Sequence, residues 1–257
     1  MSEARIQLAV EGQVAHLTIA RPDKRNALTQ AMWQDLLQAL QGLRAVPQLR
    51  LLVLRGAGGV FSAGADIDEL TQIIGDAQRL RHNNETVRLA QLALQELPFA
   101  SIAVVEGACV GGGCGLALAC DFRLAAPNVQ MAITPARLGL LYSVEDVRRV
   151  VNLAGPARAR QLLLTGQKID AATALDWGML NEVVAADALA ERLQHWSAML
   201  TSASPFSVRG IKRSIAMLDG SLAADFSAQQ ALFEEAFSHA DFAEGARAFL
   251  EKRAPRF

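Results

Sequence analysis

The sequence predicts an α/β core followed by a helical region, and two observations predict this class. Short apolar stretches at 51–56 and 101–107 are each followed by small, glycine-rich residues and then by a helical pattern of apolar positions. That succession is typical of strand–loop–helix units. After Asp187, the predicted cap of the first C-terminal helix, the patterns are almost entirely helical. We therefore divide the chain into a core of residues 1–186 and a helical region of residues 187–257.

The elements of the first third follow from local patterns. Residues 6–10 and 14–20 alternate in hydrophobicity around Glu11-Gly12, which predicts a β-hairpin. Thr29 precedes a stretch of helical periodicity and is predicted to cap it. The apolar face of that helix consists of Met32, Leu36, Leu37, Leu40 and Leu43. A polar helix is predicted for 76–97, because Pro98 ends the pattern.

Composition restricts the class of protein. The chain has 257 residues, of which 51% are hydrophobic and 20% charged, with a net charge of -1. This balance provides no basic surface for nucleic acid or an anionic membrane, and the first ten residues lack the features of a signal peptide. Cys109, Cys114 and Cys120 have no second cluster with which to complete a zinc site. We expect reduced cysteines, no metal and a cytoplasmic location.

The segment ACVGGGCGLALACD, residues 108–121, carries three consecutive glycines between a predicted strand and a predicted helix. The first N–H groups of a helix lack partners, and glycine lets a ligand approach them, so this segment could bind an anion or an oxyanion. A P-loop is disfavoured, because Cys114-Gly115 replaces the required Lys-Ser/Thr pair. The dinucleotide fingerprint fits poorly, and tight packing of helix against strand remains an alternative.

A second loop, FSAGADIDEL at 61–70, also leads small residues into a predicted helix after an apolar strand. Each of the two loops could offer one main-chain N–H. Two such groups that converge on one oxygen make an oxyanion hole.

Together the motifs resemble the crotonase superfamily, also called the enoyl-CoA hydratase/isomerase family. The resemblance covers nearly the whole chain and rests on FSAGADI, EGACVGGGCGLALACD, MAITPARLGL and the C-terminal EKRAPRF, in that order. It implies a spiral of β-β-α turns with a helical C-terminal region that assembles as trimers or as dimers of trimers.

The resemblance also implies that the substrate is an acyl-CoA thioester, with no cofactor apart from the coenzyme A that the substrate carries. By position in the motifs, the two oxyanion donors are the N–H groups of Ala63 and Gly112. Contacts to the coenzyme A are implied for the loop residues Ala65, Asp66 and Ile67, for the basic residues Lys24 and Arg25, and for Lys252 from a neighbouring subunit.

Hydratases of this family carry one glutamate directly after GGGC and a second in a P-E-x-x-L-G stretch. Here those positions are Gly115 and Pro135. Because a positioned acid or base contributes about 10²- to 10⁴-fold in rate, water addition at these positions is disfavoured. Enolate chemistry that needs no side-chain base remains, and decarboxylation of a malonyl- or methylmalonyl-like CoA is such a reaction.

TPARLGLLYSVED is similar to the TP-x-x-LG-x-x-Y pattern of the family's methylmalonyl-CoA decarboxylases. Tyr142, the only tyrosine, matches the tyrosine of that pattern, and Thr134 could hydrogen-bond in the same pocket. The match is partial, because those enzymes have a histidine at the position of Ala65 and an acid at that of Gly115.

Two alternatives remain open. Ser143 is predicted to cap a helix with Glu145 and Asp146 in its first turn, from which Glu145 could support hydration or isomerisation of an enoyl-CoA. A surface role for Glu145 at the positive end of the helix is the competing interpretation. The other alternative is a non-catalytic subunit that binds acyl-CoA.

Overall fold

A computed structural model describes residues 5–257 and shows a mixed α/β protein with two sheets. The strands are β1 (Arg5–Glu11), β2 (Val14–Ala20), β3 (Leu51–Gly56), β4 (Ala100–Val105), β5 (Ala108–Val110), β6 (Phe122–Ala125), β7 (Gln130–Ala132), β8 (Lys168–Asp170) and β9 (Glu182–Val183). The helices are α1 (Gln30–Leu43), α2 (Ile67–Thr71), α3 (Ala77–Gln95), α4 (Gly112–Ala119), α5 (Val144–Thr165), α6 (Ala171–Asp176), α7 (Leu189–Thr201), α8 (Pro205–Leu218), α9 (Phe226–Glu235) and α10 (Ala240–Leu250).

The larger sheet has six strands in the order β1-β2-β3-β4-β6-β9. The predicted hairpin is confirmed: β1 and β2 pair antiparallel, with Glu11 opposite Val14 at the turn. The remaining neighbours pair parallel. Parallel strands need crossover segments, which are supplied here by the helices and loops between them.

The smaller sheet, in the order β5-β7-β8, carries the glycine segment. β5 pairs parallel with β7, and β7 pairs antiparallel with β8. Only Gly111 lies between the end of β5 at Val110 and the start of α4 at Gly112. The sheet therefore fixes the position at which α4 begins.

Two apolar layers cover the larger sheet, and β3 shows how the sequence specifies both. Successive side chains of a strand point to opposite faces. Leu52 and Leu54 join the cluster that contains α1 and α4, whereas Leu51 and Val53 join the cluster that contains α7. Because both faces are covered, all four side chains are buried, as expected for a parallel strand.

Three helices begin at the residues that the sequence predicts, and one does not. Thr29, Asp76 and Ser143 cap α1, α3 and α5 through their side-chain oxygens. The prediction for Asp187 is wrong, because α7 begins at Leu189 with Ala188 at the cap position. A turn closed by the Ala188 N–H on the Ala185 carbonyl (3.0 Å) displaces the helix start.

Beyond β9 the chain is helical, although the division at residue 187 into two parts stays a prediction. Within residues 5–257, no helix combines the length and apolar character that crossing a bilayer requires. In the same range, no three His, Cys, Asp or Glu side chains are grouped as metal ligands.

We predict that Leu36→Ala lowers the free energy of unfolding by about 2–5 kcal/mol, because Leu36 is fully buried and the substitution leaves a cavity. Gln38→Ala on the exposed face of the same helix should change it by less than about 0.5 kcal/mol. Urea unfolding followed by circular dichroism measures both. Equal effects of the two substitutions would contradict the assignment of the buried face of α1.

Candidate functional site

The site is formed where the loop at 61–66 runs beside the glycine segment. Ser62 and Cys109 form a short parallel bridge. The Ser62 N–H donates to the Ala108 carbonyl and the Val110 N–H donates to the Ser62 carbonyl, both at 2.9 Å. These bonds hold the two loops side by side at the start of α4.

The loops approach so closely that glycine is required at the contacts. Gly64 has a φ of 92°, and a Cβ built on it would lie 2.6 Å from the Val110 carbonyl oxygen and 3.1 Å from the Gly112 nitrogen. A Cβ on Gly113 would lie 2.7 Å from the Ser62 carbonyl oxygen. Real Cβ contacts are not this short, so a side chain at either position would force the loops apart.

The structure corrects one of the two predicted oxyanion donors. The Ala63 N–H already donates to the Arg25 carbonyl at 2.9 Å and is therefore engaged. The neighbouring bridge to Leu28 uses the Gly64 carbonyl and the Asp66 N–H, so the Ala65 N–H between them points away from Leu28. Within residues 5–257, the Ala65 N–H has no hydrogen-bond acceptor.

Gly112 remains a donor candidate, and its partner is Ala65 rather than Ala63. Gly112 is the first residue of α4, and its N–H likewise has no acceptor in the described part of the chain. The Ala65 nitrogen lies 3.9 Å from the position that a Cβ on Gly112 would take. The two free N–H groups therefore lie next to each other at the positive end of a helix, where negative charge is favoured.

Three polar groups surround Gly115. A Cβ on this residue would meet the side-chain amide of Gln91, the Asp146 Oδ1 at 2.9 Å and the Tyr142 hydroxyl at 3.0 Å. The hydratase glutamate implied by the family would start from this Cβ. Its space is occupied here by side chains of α3, α5 and the loop before α5.

Tyr142 points into this space and donates its hydroxyl proton to the Gly111 carbonyl at 3.1 Å. Burial, and next the nearby charge of Asp146, raise the pKa of Tyr142 well above its usual value. The hydroxyl is therefore protonated at neutral pH and acts as an uncharged donor.

Asp146 is buried and fully hydrogen-bonded. It pairs with Arg149 at 2.7 Å and accepts the Ser143 hydroxyl at 2.8 Å. With its nitrogen turned towards Asp146, the Gln91 amide donates to both carboxyl oxygens at 2.9 and 3.0 Å. Burial raises the pKa of Asp146, and Arg149 opposes this only in part. These contacts occupy both carboxyl oxygens.

Glu145, the predicted alternative acid, faces a different partner. Its carboxylate lies 3.3 Å from Arg88 of α3 and is partly exposed. A main-chain hydrogen bond at the helix start, and next Arg88, lower its pKa. The carboxylate nearest to the Gly115 Cβ position belongs to Asp146.

Pro135 and Tyr142 both line an apolar cleft with a volume of about 420 Å³. Ile133, Leu140, Val151, Leu163 and Leu164 also line it. Thr134 lies directly before the short 3₁₀ turn at Pro135–Arg137 and is half-buried. Its side chain makes no hydrogen bond within the described residues, and its role in the pocket stays a prediction.

The Asp66 side chain has a structural role. It caps α2 by accepting the Glu69 N–H at 3.1 Å, and it pairs with Arg21 at 2.5 Å. Burial alone would raise the pKa of Asp66, but the hydrogen bonds from Arg21 and the Glu69 N–H outweigh it and lower the pKa. The Asp66 N–H donates to the Leu28 carbonyl and its carbonyl accepts the Leu70 N–H, so the implied contact of Asp66 with coenzyme A stays a prediction.

The other residues implied in coenzyme A binding occupy three places. Ile67 follows Asp66 and is half-exposed, as a ligand-contacting residue must be. Lys24 is exposed and pairs with Asp68 at 3.2 Å, and Arg25 holds the 61–66 loop through its carbonyl. Lys252 is exposed beyond the end of α10.

Sequence reasoning missed Gln91 and the inward position of Asp146. Gln91 is 1% exposed on the apolar face of α3 beside Ala90 and Leu94. A long polar side chain on an apolar helix face must find a buried partner, and this signal was present in the sequence.

We predict that Asp66→Asn lowers the free energy of unfolding at neutral pH by about 1–3 kcal/mol, because the charged bond to Arg21 is lost. Since folding lowers the pKa of Asp66, its contribution is present above the unfolded-state pKa of about 4 and disappears as pH falls through the folded-state value. The stability difference between wild type and Asp66→Asn should therefore shrink below about pH 4 in urea titrations. Asp68→Asn, with an exposed carboxylate, is the control, and a pH-independent difference would contradict this role for Asp66.

Comparisons with known proteins in sequence and in fold identify the family of this chain. The family model described as enoyl-CoA hydratase/isomerase matches residues 9–257. An enoyl-CoA isomerase/hydratase of Mycosarcoma maydis is 32% identical over 259 residues, covering 95% of this chain and 92% of that protein. An enoyl-CoA hydratase/carnithine racemase of Magnetospirillum magneticum superposes with a TM-score of 0.91 at 32% identity, covering 98% and 94% of the two chains. An enoyl-CoA hydratase of Bacillus anthracis gives 0.88 at 29% identity, covering 98% of each.

The match extends over nearly the whole chain in sequence and in structure, and the predicted crotonase fold is thereby confirmed. The chain belongs to the enoyl-CoA hydratase/isomerase family.

Proposed function

We propose that this protein binds an acyl-CoA thioester and stabilises its enolate, and that the reaction is decarboxylation of a malonyl- or methylmalonyl-like CoA. The observation that supports the proposal is the pair of adjacent, unpartnered N–H groups of Ala65 and Gly112. The thioester oxygen would accept one hydrogen bond from each of these N–H groups. Negative charge develops on that oxygen in the transition state, where each aimed donor contributes about 2.7–4 kcal/mol.

The proposed step needs no side-chain base. The bond between the α-carbon and the substrate carboxyl group breaks, and carbon dioxide leaves. The electron pair of that bond stays on the α-carbon and is delocalised onto the thioester oxygen. Water supplies the proton that the α-carbon then takes up. Neither a metal nor a redox group takes part.

The charges around Gly115 support this choice of reaction. The nearest carboxylate, that of Asp146, is neutralised by Arg149 and bound by Ser143, and the Tyr142 hydroxyl is uncharged. A substrate carboxylate therefore meets no free negative charge where the hydratase glutamate would have been.

The coenzyme A portion is proposed to follow the 61–67 loop, with the adenine near the main chain of Ala65, Asp66 and Ile67. The phosphates would meet Lys24 or Arg25. Lys24 is free to reorient because its pair with Asp68 is exposed at both ends. Lys252 would reach the site from a neighbouring subunit.

A second candidate function is hydration or isomerisation of an enoyl-CoA. It is favoured by the Asp146 Oδ1, which lies 2.9 Å from the place where the family's first glutamate would begin. Glu145, at the edge of the same helix start, would act only after leaving Arg88. A third possibility is a subunit that binds acyl-CoA without turnover.

We predict that the purified protein releases carbon dioxide from malonyl-CoA or methylmalonyl-CoA and does not consume crotonyl-CoA. Carbon dioxide is measured with a coupled assay, and crotonyl-CoA by its absorbance. Loss of crotonyl-CoA that disappears in Asp146→Asn or Glu145→Gln would instead establish the second candidate. Tight binding of both kinds of thioester without turnover would establish the third.

A matched pair of variants tests, in the carbon dioxide assay, which of the two loop alanines supplies the N–H that acts on the substrate. Ala65→Pro removes an N–H that bonds to no described residue and should lower kcat about 10²- to 10³-fold. Ala63→Pro removes the N–H that the Arg25 carbonyl accepts, so its first effect should be a lower unfolding temperature. Thermal unfolding of both variants identifies losses of activity that come from misfolding.

We also propose that the chain forms a homotrimer or a dimer of trimers. α9, α10 and the segment between them leave five phenylalanine side chains more than half exposed, and three of these are in ring contact with one another. Large exposed apolar patches are typical of protein–protein interfaces. The side chains are Phe226, Phe233, Phe237, Phe242 and Phe249.

Light scattering should accordingly give a mass of three or six times the 27.6 kDa chain. Phe249→Glu should shift the population towards smaller species, because it places a charge on an apolar contact. Gln78→Glu, which adds the same charge on the exposed surface of α3, should leave the mass unchanged. A monomeric wild type at micromolar concentration would contradict the assembly.

A further inference from the structure

One peptide group, Gly111–Gly112, connects Tyr142 to the proposed oxyanion donor. Its N–H end is the free donor of Gly112. Its carbonyl end, on Gly111, accepts the Tyr142 hydroxyl at 3.1 Å and the Gly115 N–H at 3.0 Å. Tyr142 therefore contacts the opposite end of the same planar group that would bind the thioester oxygen.

Contacts on both sides hold this peptide group in place. Gly111 has a φ of 52° and a ψ of -118°, a conformation that glycine adopts and other residues avoid. The preceding peptide group is held by the bond from the Gly111 N–H to the Ala132 carbonyl at 2.9 Å. The carbonyl of the Gly111–Gly112 peptide group itself is held by Tyr142 and by the first turn of α4.

A hydrogen bond to an amide carbonyl also changes the N–H at the other end. It draws electron density towards the oxygen and makes the N–H a better donor, with a cooperative strengthening of about 10–30% per bond. The strengthening matters most for an acceptor that gains negative charge, as a thioester oxygen does when the enolate forms.

Glycine at position 115 makes room for this contact. The Tyr142 hydroxyl lies 3.0 Å from the position of a Cβ on Gly115, and the Asp146 Oδ1 lies 2.9 Å from it. A side chain at 115 would meet the Gln91 amide first and then the Asp146 Oδ1 and the Tyr142 hydroxyl, so all three groups would have to move away from their present positions. Gln91 and Arg149 in turn hold the Asp146 carboxyl group beside the tyrosine.

We infer that Tyr142 is a positioning residue, which holds and polarises the Gly111–Gly112 peptide so that the Gly112 N–H binds the thioester oxygen more strongly as negative charge develops. The inference rests on the proposed enolate chemistry and adds to it a role for the only tyrosine. It also gives a reason for the glycine at 115 that does not depend on which enolate reaction follows.

The test is infrared spectroscopy of bound [1-¹³C]butyryl-CoA, which reports how strongly the protein polarises the thioester carbonyl. Wild type should shift the labelled carbonyl band to lower wavenumber relative to the free thioester. Tyr142→Phe, which keeps the ring and removes the hydroxyl, should reduce that shift. In the carbon dioxide assay, Tyr142→Phe should also lower kcat by about 3- to 10-fold while KM changes less than about twofold. Polarisation of the carbonyl contributes mainly in the transition state.

Gly115→Ala supplies a second test of the same contact. Its methyl group would press on the Gln91 amide, the Asp146 Oδ1 and the Tyr142 hydroxyl together, and the weakened bond from Tyr142 to Gly111 should reduce the band shift. The double variant Tyr142→Phe/Gly115→Ala should lose no more than either single variant, since both remove one contact. Gly42→Ala is the control: it makes the same substitution within α1, where a Cβ meets nothing within 4 Å.

The outcomes separate this inference from the proposed function. A wild-type band that does not shift, although butyryl-CoA binds, contradicts the oxyanion site and this inference with it. A band shifted equally in wild type and Tyr142→Phe overturns the role of Tyr142 and leaves the oxyanion site standing. Additive losses in the double variant would show that Gly115 acts separately from the hydroxyl.

Discussion

The contact between two loop backbones is the constraint on which the site depends. Gly64 and Gly113 let the loops approach to distances at which any side chain would overlap a carbonyl group. At this separation the N–H groups of Ala65 and Gly112 can lie beside each other without an intervening side chain. Main-chain donors in such a place are oriented before any ligand arrives, so little reorganisation accompanies the development of charge.

The strands and the loops hold one another in this arrangement. β5 fixes the start of α4, the bridge between Ser62 and Cys109 fixes the second loop against β5, and Arg25 and Leu28 hold that loop from its other side. The bonds of Ala63 to Arg25 and of Gly64 and Asp66 to Leu28 tie the loop down and leave the Ala65 N–H between them free. One set of hydrogen bonds therefore both holds the loop and leaves this N–H without an acceptor in the described residues.

Much of the fold could be predicted from the sequence because its signals are local. Alternation around Glu11-Gly12 and the cap at Thr29 each depend on a few neighbouring residues, and both elements are confirmed. Which N–H of a loop is free depends on partners distant in sequence, so the motif could not show that the Ala63 N–H is bonded and the Ala65 N–H is not.

The helix start at Ser143 shows the same limit. The sequence places Glu145 and Asp146 in the first turn, as observed. Successive helical residues point about 100° apart, so their environments differ sharply. Only the position of α3 shows that Asp146 faces the buried Gln91 while Glu145 faces Arg88. No local pattern contains that information.

The packing around Gly115 determines which side chains can take part in the chemistry of the site. In a hydratase of the family, a glutamate at this position would need the volume that the Tyr142 hydroxyl and the Asp146 carboxyl occupy here. The two arrangements are therefore mutually exclusive in this backbone. A glutamate would supply a charged acid or base beside the oxyanion donors, whereas the tyrosine supplies an uncharged hydrogen bond to the back of one donor. The absence of the glutamate and the presence of the tyrosine are thus one structural change. Under the proposed function, that change replaces proton transfer by a carboxylate with stabilisation of negative charge by main-chain donors.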